Sequence, residues 1–145
     1  VAFAGTSQLL VPLTTDLDYV NQWVENLATD SVGAQGTDLG GAIEASARAL
    51  DRGAEQNDPN SPVSKASRIV VIISDGEDHE AQIENALKKV SQETLNVYTF
   101  GVGTEQGGPI PVRDTDGRNL GYKRDRSGNT VTTKLSSSGL VKLAE

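Results

Sequence analysis

Six residues, Arg68-Ile69-Val70-Val71-Ile72-Ile73, constrain this chain more than any others. Five consecutive β-branched residues are stiff at χ1 and suit a pleated strand. A run with no polar alternation predicts a strand buried on both faces, hence central and parallel to its neighbours. The acidic turn Ser74–Asp78 follows it. Beyond that turn, Ile83, Ala86, Leu87 and Val90 fall at i, i+3, i+4 and i+7, the stripe of an amphipathic helix. Asn96–Val102 then returns as a second strand. Strand, helix, strand implies a right-handed crossover, the unit of an open doubly wound sheet.

The rest of the chain is consistent with that architecture. Its 145 residues are about the size of one domain or a large piece of one. Aromatic residues make up only 4% and hydrophobic residues 36%, so the core must come mainly from Val, Ile, Leu and Ala. With 13 basic and 20 acidic residues the net charge is -7, which repels phosphate backbones and disfavours nucleic acid as a partner. The chain has no Cys, which removes disulfides, thiolate catalysis and Cys-based zinc sites. It also has no Met and starts inside the apolar run Val1-Ala2-Phe3-Ala4, which reads as an internal piece of a longer protein. No signal peptide is visible, and no apolar stretch approaches the roughly 20 residues of a membrane helix.

Val1–Gly5 and Gln8–Leu13 read as a short hairpin turning at Gly5-Thr6. Leu17, Val20, Val24 and Leu27 place a helix over Asp16–Leu27, capped by Asp16 or Thr15. After the small, polar loop Ala28–Gly36, a second helix carries Leu39, Ile43, Ala47 and Leu50, with Thr37 as N-cap and an end near Gly53. Glu55–Ser67, with Pro59 and Pro62, reads as a surface excursion. From Gly103 to Leu135 the turns Asp116-Gly117 and Ser127-Gly128-Asn129 separate short polar runs, which predicts one or two protruding hairpins. Leu140, Val141 and Ala144 begin a last helix, and no internal repeat is apparent.

Open α/β sheets bind ligands at the carboxyl ends of their strands, which singles out two loops. Ser74-Asp75-Gly76-Glu77-Asp78-His79-Glu80 is rich in carboxylates and holds no Lys or Arg; Gly36-Thr37-Asp38-Leu39-Gly40-Gly41 sets a hydroxyl and a carboxylate between glycines. Hard oxygen donors of this kind suit Mg²⁺, Ca²⁺ or Mn²⁺. Glu77, Asp78 and Glu80 also suit a solvated first helical turn, where the helix dipole favours them. His79 reads as an exposed helix residue. Asp75 differs, because a carboxylate without a partner at the end of the most buried strand is costly. Thr37 can be a cap, a ligand, or both. Gly-x-Ser-x-Gly and Gly-x-x-x-x-Gly-Lys-Ser/Thr are absent, and Gly101-Val102-Gly103 leads into a hairpin where a dinucleotide fold needs a helix.

Val1-Ala2-Phe3-Ala4-Gly5, Pro12-Leu13-Thr14-Thr15-Asp16, Gly36-Thr37-Asp38-Leu39-Gly40 and Ile72-Ile73-Ser74-Asp75-Gly76-Glu77, in this order, resemble a von Willebrand factor type A domain. Within that superfamily the chain looks like the bacterial Bat-type aerotolerance group, and Pro109-Ile110-Pro111 with the later Gly-Asn turn strengthens the likeness. The resemblance covers residues 1–145 as one partial domain with a hairpin insertion at 103–135. It implies a Rossmann-like, doubly wound, mostly parallel sheet with helices on both faces. The family's metal-ion-dependent adhesion site combines an Asp-x-Ser-x-Ser loop, a Thr and an Asp; the last two match Thr37 and Asp75. The Asp-x-Ser-x-Ser loop and its central first strand have no counterpart here, which reads as an N-terminal truncation.

The resemblance implies a non-enzymatic, divalent-cation-dependent protein-interaction module of a larger bacterial protein, serving aerotolerance or envelope stress. Mg²⁺, or Mn²⁺ or Ca²⁺ in its place, is the expected cofactor, and the expected partner presents an acidic side chain. Related Bat-type proteins and a MoxR-type AAA ATPase are the implied partners, with flanking segments anchoring an extracytoplasmic domain to the membrane. The rival readings are a metal-dependent hydrolase that activates water at the acidic loop, and a structural interaction domain that has lost metal binding.

Overall fold

A computed structural model describes residues 1–29, 31–34, 36–55, 67–77, 80–90 and 95–145. The chain opens with a minimal hairpin, β1 (Ala2–Phe3) against β2 (Ser7–Gln8), antiparallel with Ala2 opposite Gln8. The second strand is shorter than the expected Gln8–Leu13 and begins one residue earlier. Pro12, which has no N–H to give a ladder, lies in the segment that fails to pair. Helix α1 (Leu17–Glu25) follows, and its cap is Asp16 rather than Thr15, because the Asp16 carboxylate accepts the Tyr19 N–H at 2.9 Å.

Helix α2 spans Leu39–Glu55, strand β3 Arg68–Ser74, helix α3 Glu80–Val90 and strand β4 Leu95–Gly101. Strands β3 and β4 pair in parallel from Arg68 opposite Leu95 to Ser74 opposite Gly101, and the Val102 N–H extends the ladder to the Ser74 carbonyl at 2.9 Å. This is the crossover unit expected from the β-branched run. The core is aliphatic: Leu39, Ile43 and Ala47 of α2, Ile83 and Val90 of α3, and Val70 and Ile72 of β3 form one cluster. Leu140 and Leu143 complete it from the last helix, α4 (Ser137–Ala144). The Lys89 ammonium, 2.8 Å from the Glu44 carboxylate, bridges α2 and α3 at the surface.

The expectation that Arg68–Ile73 is buried on both faces does not hold among the described residues. Val70 and Ile72 are buried, whereas Ile69, Val71 and Ile73 are 50%, 55% and 65% exposed. The cause is geometric. Alternate side chains of a strand point to opposite faces, and α2, α3 and α4 all pack on the face of Val70 and Ile72. Tyr98 and Phe100 of β4, 55% and 60% exposed, share the open side of this two-stranded sheet. The hairpin β1–β2 is a separate sheet, not hydrogen-bonded to β3.

Residues after Gly103 form an antiparallel hairpin arm. β5 (Gly108–Pro109) pairs with β8 (Thr132–Thr133), and β6 (Pro111–Arg113) with β7 (Asn119–Tyr122). Its two tips use one turn twice, a repeat the sequence reading missed. In Arg113-Asp114-Thr115-Asp116-Gly117 and Arg124-Asp125-Arg126-Ser127-Gly128 the aspartate carboxylate accepts the backbone N–H groups two and four residues on. In each, the arginine donates to the glycine carbonyl and the glycine adopts positive φ, +80° at Gly117 and +85° at Gly128.

Candidate metal centre

The loop at the carboxyl end of β3 is shaped by Gly76. Its φ is +78°, and a Cβ there would collide with the Ser136 carbonyl, so only glycine lets the chain turn beneath α4. The Gly76 N–H donates to Ser74 Oγ at 3.1 Å, and the Ser136 N–H donates to the Asp75 carbonyl at 2.7 Å. Asp75 is thereby held by its backbone, half-buried, with its side chain at the rim of the sheet.

The other loop is strapped to the first hairpin on either side of Thr37. The Gly5 N–H donates to the Ala34 carbonyl at 2.9 Å and the Asp38 N–H to the Ala4 carbonyl at 2.7 Å. Gly36, at φ +116°, makes the turn that brings Thr37 inward. Thr37, Ser74 and Asp75 consequently line one cleft of about 340 Å³, walled by Phe3 and Ile73. Thr37 and Asp75, the two residues singled out from the sequence, are both in the lining of this cleft.

Two readings of this region need correction. The N-cap of α2 is Asp38, not Thr37: the helix starts at Leu39, and the Asp38 carboxylate accepts the Gly41 N–H at 2.7 Å. A Cβ on Gly41 would collide with that carboxylate, so the glycine belongs to the cap. Asp75, in turn, is not without a partner. Its Oδ2 accepts the Thr133 hydroxyl at 2.8 Å, while its Oδ1, among the described residues, meets only the Glu77 N–H, at the long distance of 3.5 Å. The Glu77 carboxylate is exposed and accepts the Lys134 N–H at 3.3 Å, as a surface residue rather than a ligand. Asp78 and His79 lie outside the described residues.

The donor set around the cleft is hydroxyl and carboxylate oxygen, which fits a hard divalent cation and not a soft one. It is also sparse. Among the described residues no three His, Cys, Asp or Glu side chains gather as a metal cluster. Thr37 and Asp75 would supply only part of the oxygen ligands that a hard divalent cation takes.

A family model described as the von Willebrand factor type A domain matches residues 1–121. The chain belongs to the von Willebrand factor type A family. Its architecture agrees with two solved structures. The conserved hypothetical protein BatB from Bacteroides thetaiotaomicron superposes with a TM-score of 0.78 at 30% identity, covering 98% of this chain and 62% of that one. An aerotolerance-related membrane protein from Bacteroides fragilis, bearing multiple mutations to serine, gives 0.77 at 30% identity, covering 98% and 63%. The chain thus spans less than two thirds of the length of either structure. A comparison with curated proteins finds no match. The fold of this von Willebrand factor type A chain is the Rossmann-like α/β class expected from its sequence.

The residue that sequence reasoning missed is Thr133. It lies 58 positions from Asp75 in a polar hairpin, and no local pattern marks it. The nearest signal is Gly107-Gly108, a turn that lets the returning strand approach closely: a Cβ on Gly107 would stand 2.9 Å from the Thr133 carbonyl.

Proposed function

We propose that this chain is the interaction module of a larger bacterial protein of the Bat type, and that a divalent cation mediates its contact with a protein partner. The single observation that supports the reading is that Thr37 and Asp75 both line one cleft at the carboxyl end of β3. The Thr37 hydroxyl and the Asp75 carboxylate would hold Mg²⁺, with Mn²⁺ and Ca²⁺ as substitutes. When bound, the cation supplies a Lewis-acidic position able to accept an acidic side chain of the partner. The chain's own part is to hold the two ligands with glycine-shaped loops and to leave the cleft open to a protein surface.

Related Bat-type proteins and a MoxR-type AAA ATPase are the partners proposed from family likeness. A membrane-anchored, extracytoplasmic setting is proposed on the same footing, supported by the description of the Bacteroides fragilis structure as a membrane protein. Among the described residues no helix is long and apolar enough to cross a membrane, so an anchor would lie in other segments.

Titration calorimetry tests the cation. With only two protein ligands, Mg²⁺ should bind the 145-residue chain weakly, on the order of millimolar, and Asp75→Ala should abolish the binding. Binding indifferent to Asp75→Ala would put the site elsewhere. The hydrolase reading is tested in the same preparation: turnover of generic phosphoesters with Mg²⁺ or Mn²⁺, lost in Asp75→Ala, would replace the interaction module with an enzyme.

A further inference from the structure

Asp75 stands between two clefts. One holds Thr37 and Phe3; the other, of about 460 Å³, is lined by Val102, Gly103, Thr133 and Lys134 from the base of the hairpin arm. The arm reaches this place by tight construction. Gly107, at φ +73°, turns the chain into β5, and the pairing of Gly108 with Thr133 fixes the position of Thr133. The Leu135 N–H donates to the Thr104 carbonyl at 2.9 Å, closing the base of the arm.

Among the described residues, three hydrogen bonds run from the end of the arm and the start of α4 to the loop after β3. The Thr133 hydroxyl donates to Asp75 Oδ2 at 2.8 Å, the Lys134 N–H to the Glu77 carboxylate at 3.3 Å, and the Ser136 N–H to the Asp75 carbonyl at 2.7 Å. The last grips the backbone and the second an exposed side chain. Of the three, the Thr133 bond is the one made to the Asp75 carboxylate. A carboxylate has two oxygens and rotates about χ2; the Thr133 hydroxyl on Oδ2 restrains that rotation, and Oδ1 keeps acceptor capacity beyond its 3.5 Å contact with the Glu77 N–H.

We propose that Thr133 is a positioning residue for Asp75, and that through it the hairpin arm and the cation site are energetically coupled. The inference rests on the cation reading of Asp75. Carboxylates that hold metals are commonly oriented by a further hydrogen bond, and loss of such a partner typically weakens metal affinity about 10–100-fold. Coupling of this kind is reciprocal. If the Thr133 bond favours the cation, the cation favours the Thr133 bond by the same factor, and the arm becomes harder to open.

The experiment combines Mg²⁺ calorimetry with amide hydrogen exchange on the intact protein. In the wild type, saturating Mg²⁺ should slow exchange in the arm, residues 108–133, while β3 reports that the sheet is folded. Thr133→Val keeps the shape and removes the donor; it should weaken Mg²⁺ binding about 10–100-fold and abolish the slowing in the arm. Thr133→Ser restores the hydroxyl and should restore both, which separates positioning from a general folding defect. Asp75-dependent Mg²⁺ binding unaffected by Thr133→Val, or an arm indifferent to Mg²⁺, would overturn the coupling and leave the cation site standing. Absence of any Asp75-dependent binding would remove the cation reading, and the coupling with it.

Discussion

Thr37 and Asp38 are adjacent, and each has an oxygen able to cap a helix, but the structure divides their roles. Asp38 occupies the position before Leu39 and satisfies the Gly41 N–H, one of the amides a helix start leaves without an intrahelical partner. Thr37 is left to line the cleft with Asp75. Asp38→Ala should therefore destabilise the fold by about 0.5–2 kcal/mol. Thr37→Ala should change stability by less than about 0.5 kcal/mol. Urea melts of the two variants decide the matter: equal losses would return the cap to Thr37. Asp75 teaches a related point. A carboxylate isolated at the end of a strand is costly, but Thr133 satisfies one of the Asp75 oxygens and lowers that cost.

At the scale of elements, the hairpin arm is held by short ladders and by its two turns. The turn at Asp125 concentrates donors on one carboxylate: the Asn129 N–H at 2.9 Å, the Ser127 N–H at 2.8 Å and the Asn129 side-chain amide at 3.3 Å. The Asn129 N–H, foremost among them, holds the Asp125 carboxyl below its ordinary range, because donors favour the charged form. The sign of the pH effect follows. A folded value below the unfolded one adds stability that is present above the unfolded value of about 3.9 and is lost as pH falls through the lower folded value. An NMR titration of the Asp125 carboxyl should accordingly show a midpoint below that of an unstructured aspartate, with the Asn129 amide shifting alongside. A midpoint at or above the unstructured value would contradict the turn geometry. The sequence displayed Asp-Gly and Gly-Asn turn signals here, but the arginine-to-glycine-carbonyl bond that makes the two tips alike is visible only in space.

Among the described residues, the β3–β4 sheet has one covered face and one open face. Ile69, Val71, Ile73, Tyr98 and Phe100 form an apolar surface on the side of the sheet away from α2, α3 and α4. The outer edge of β3 beside it is unpaired among the described residues. Contiguous apolar surface with an unpaired strand edge is a template for association. In solution by itself, the 145-residue chain should self-associate through this face. Val71→Lys should suppress the association at a cost in stability under about 1 kcal/mol, since the side chain already faces solvent. Sedimentation of both forms across a concentration series provides the check. A monomeric wild type would show that this face needs no cover.

The β-branched run, the helical stripes at Leu39–Ala47 and Ile83–Val90, and the glycine-flanked turns determined the α/β class and most element positions. These are properties of residues close in sequence, where period and backbone preference act directly. The same local information placed Thr37 in the loop before α2 and Asp75 in the loop at the carboxyl end of β3. Three things were decided only by tertiary structure. The face of β3 that is covered depends on where α2, α3 and α4 dock, which an unbroken Ile/Val run cannot encode because both of its faces are equally apolar. The cap of α2 depends on the residue at which the helix starts, a boundary set by the strap from Asp38 to Ala4. The Thr133 hydroxyl reaches Asp75 because a hairpin folds back over the carboxyl end of the sheet, and a contact between residues so distant in sequence arises from packing, which leaves no local period to read.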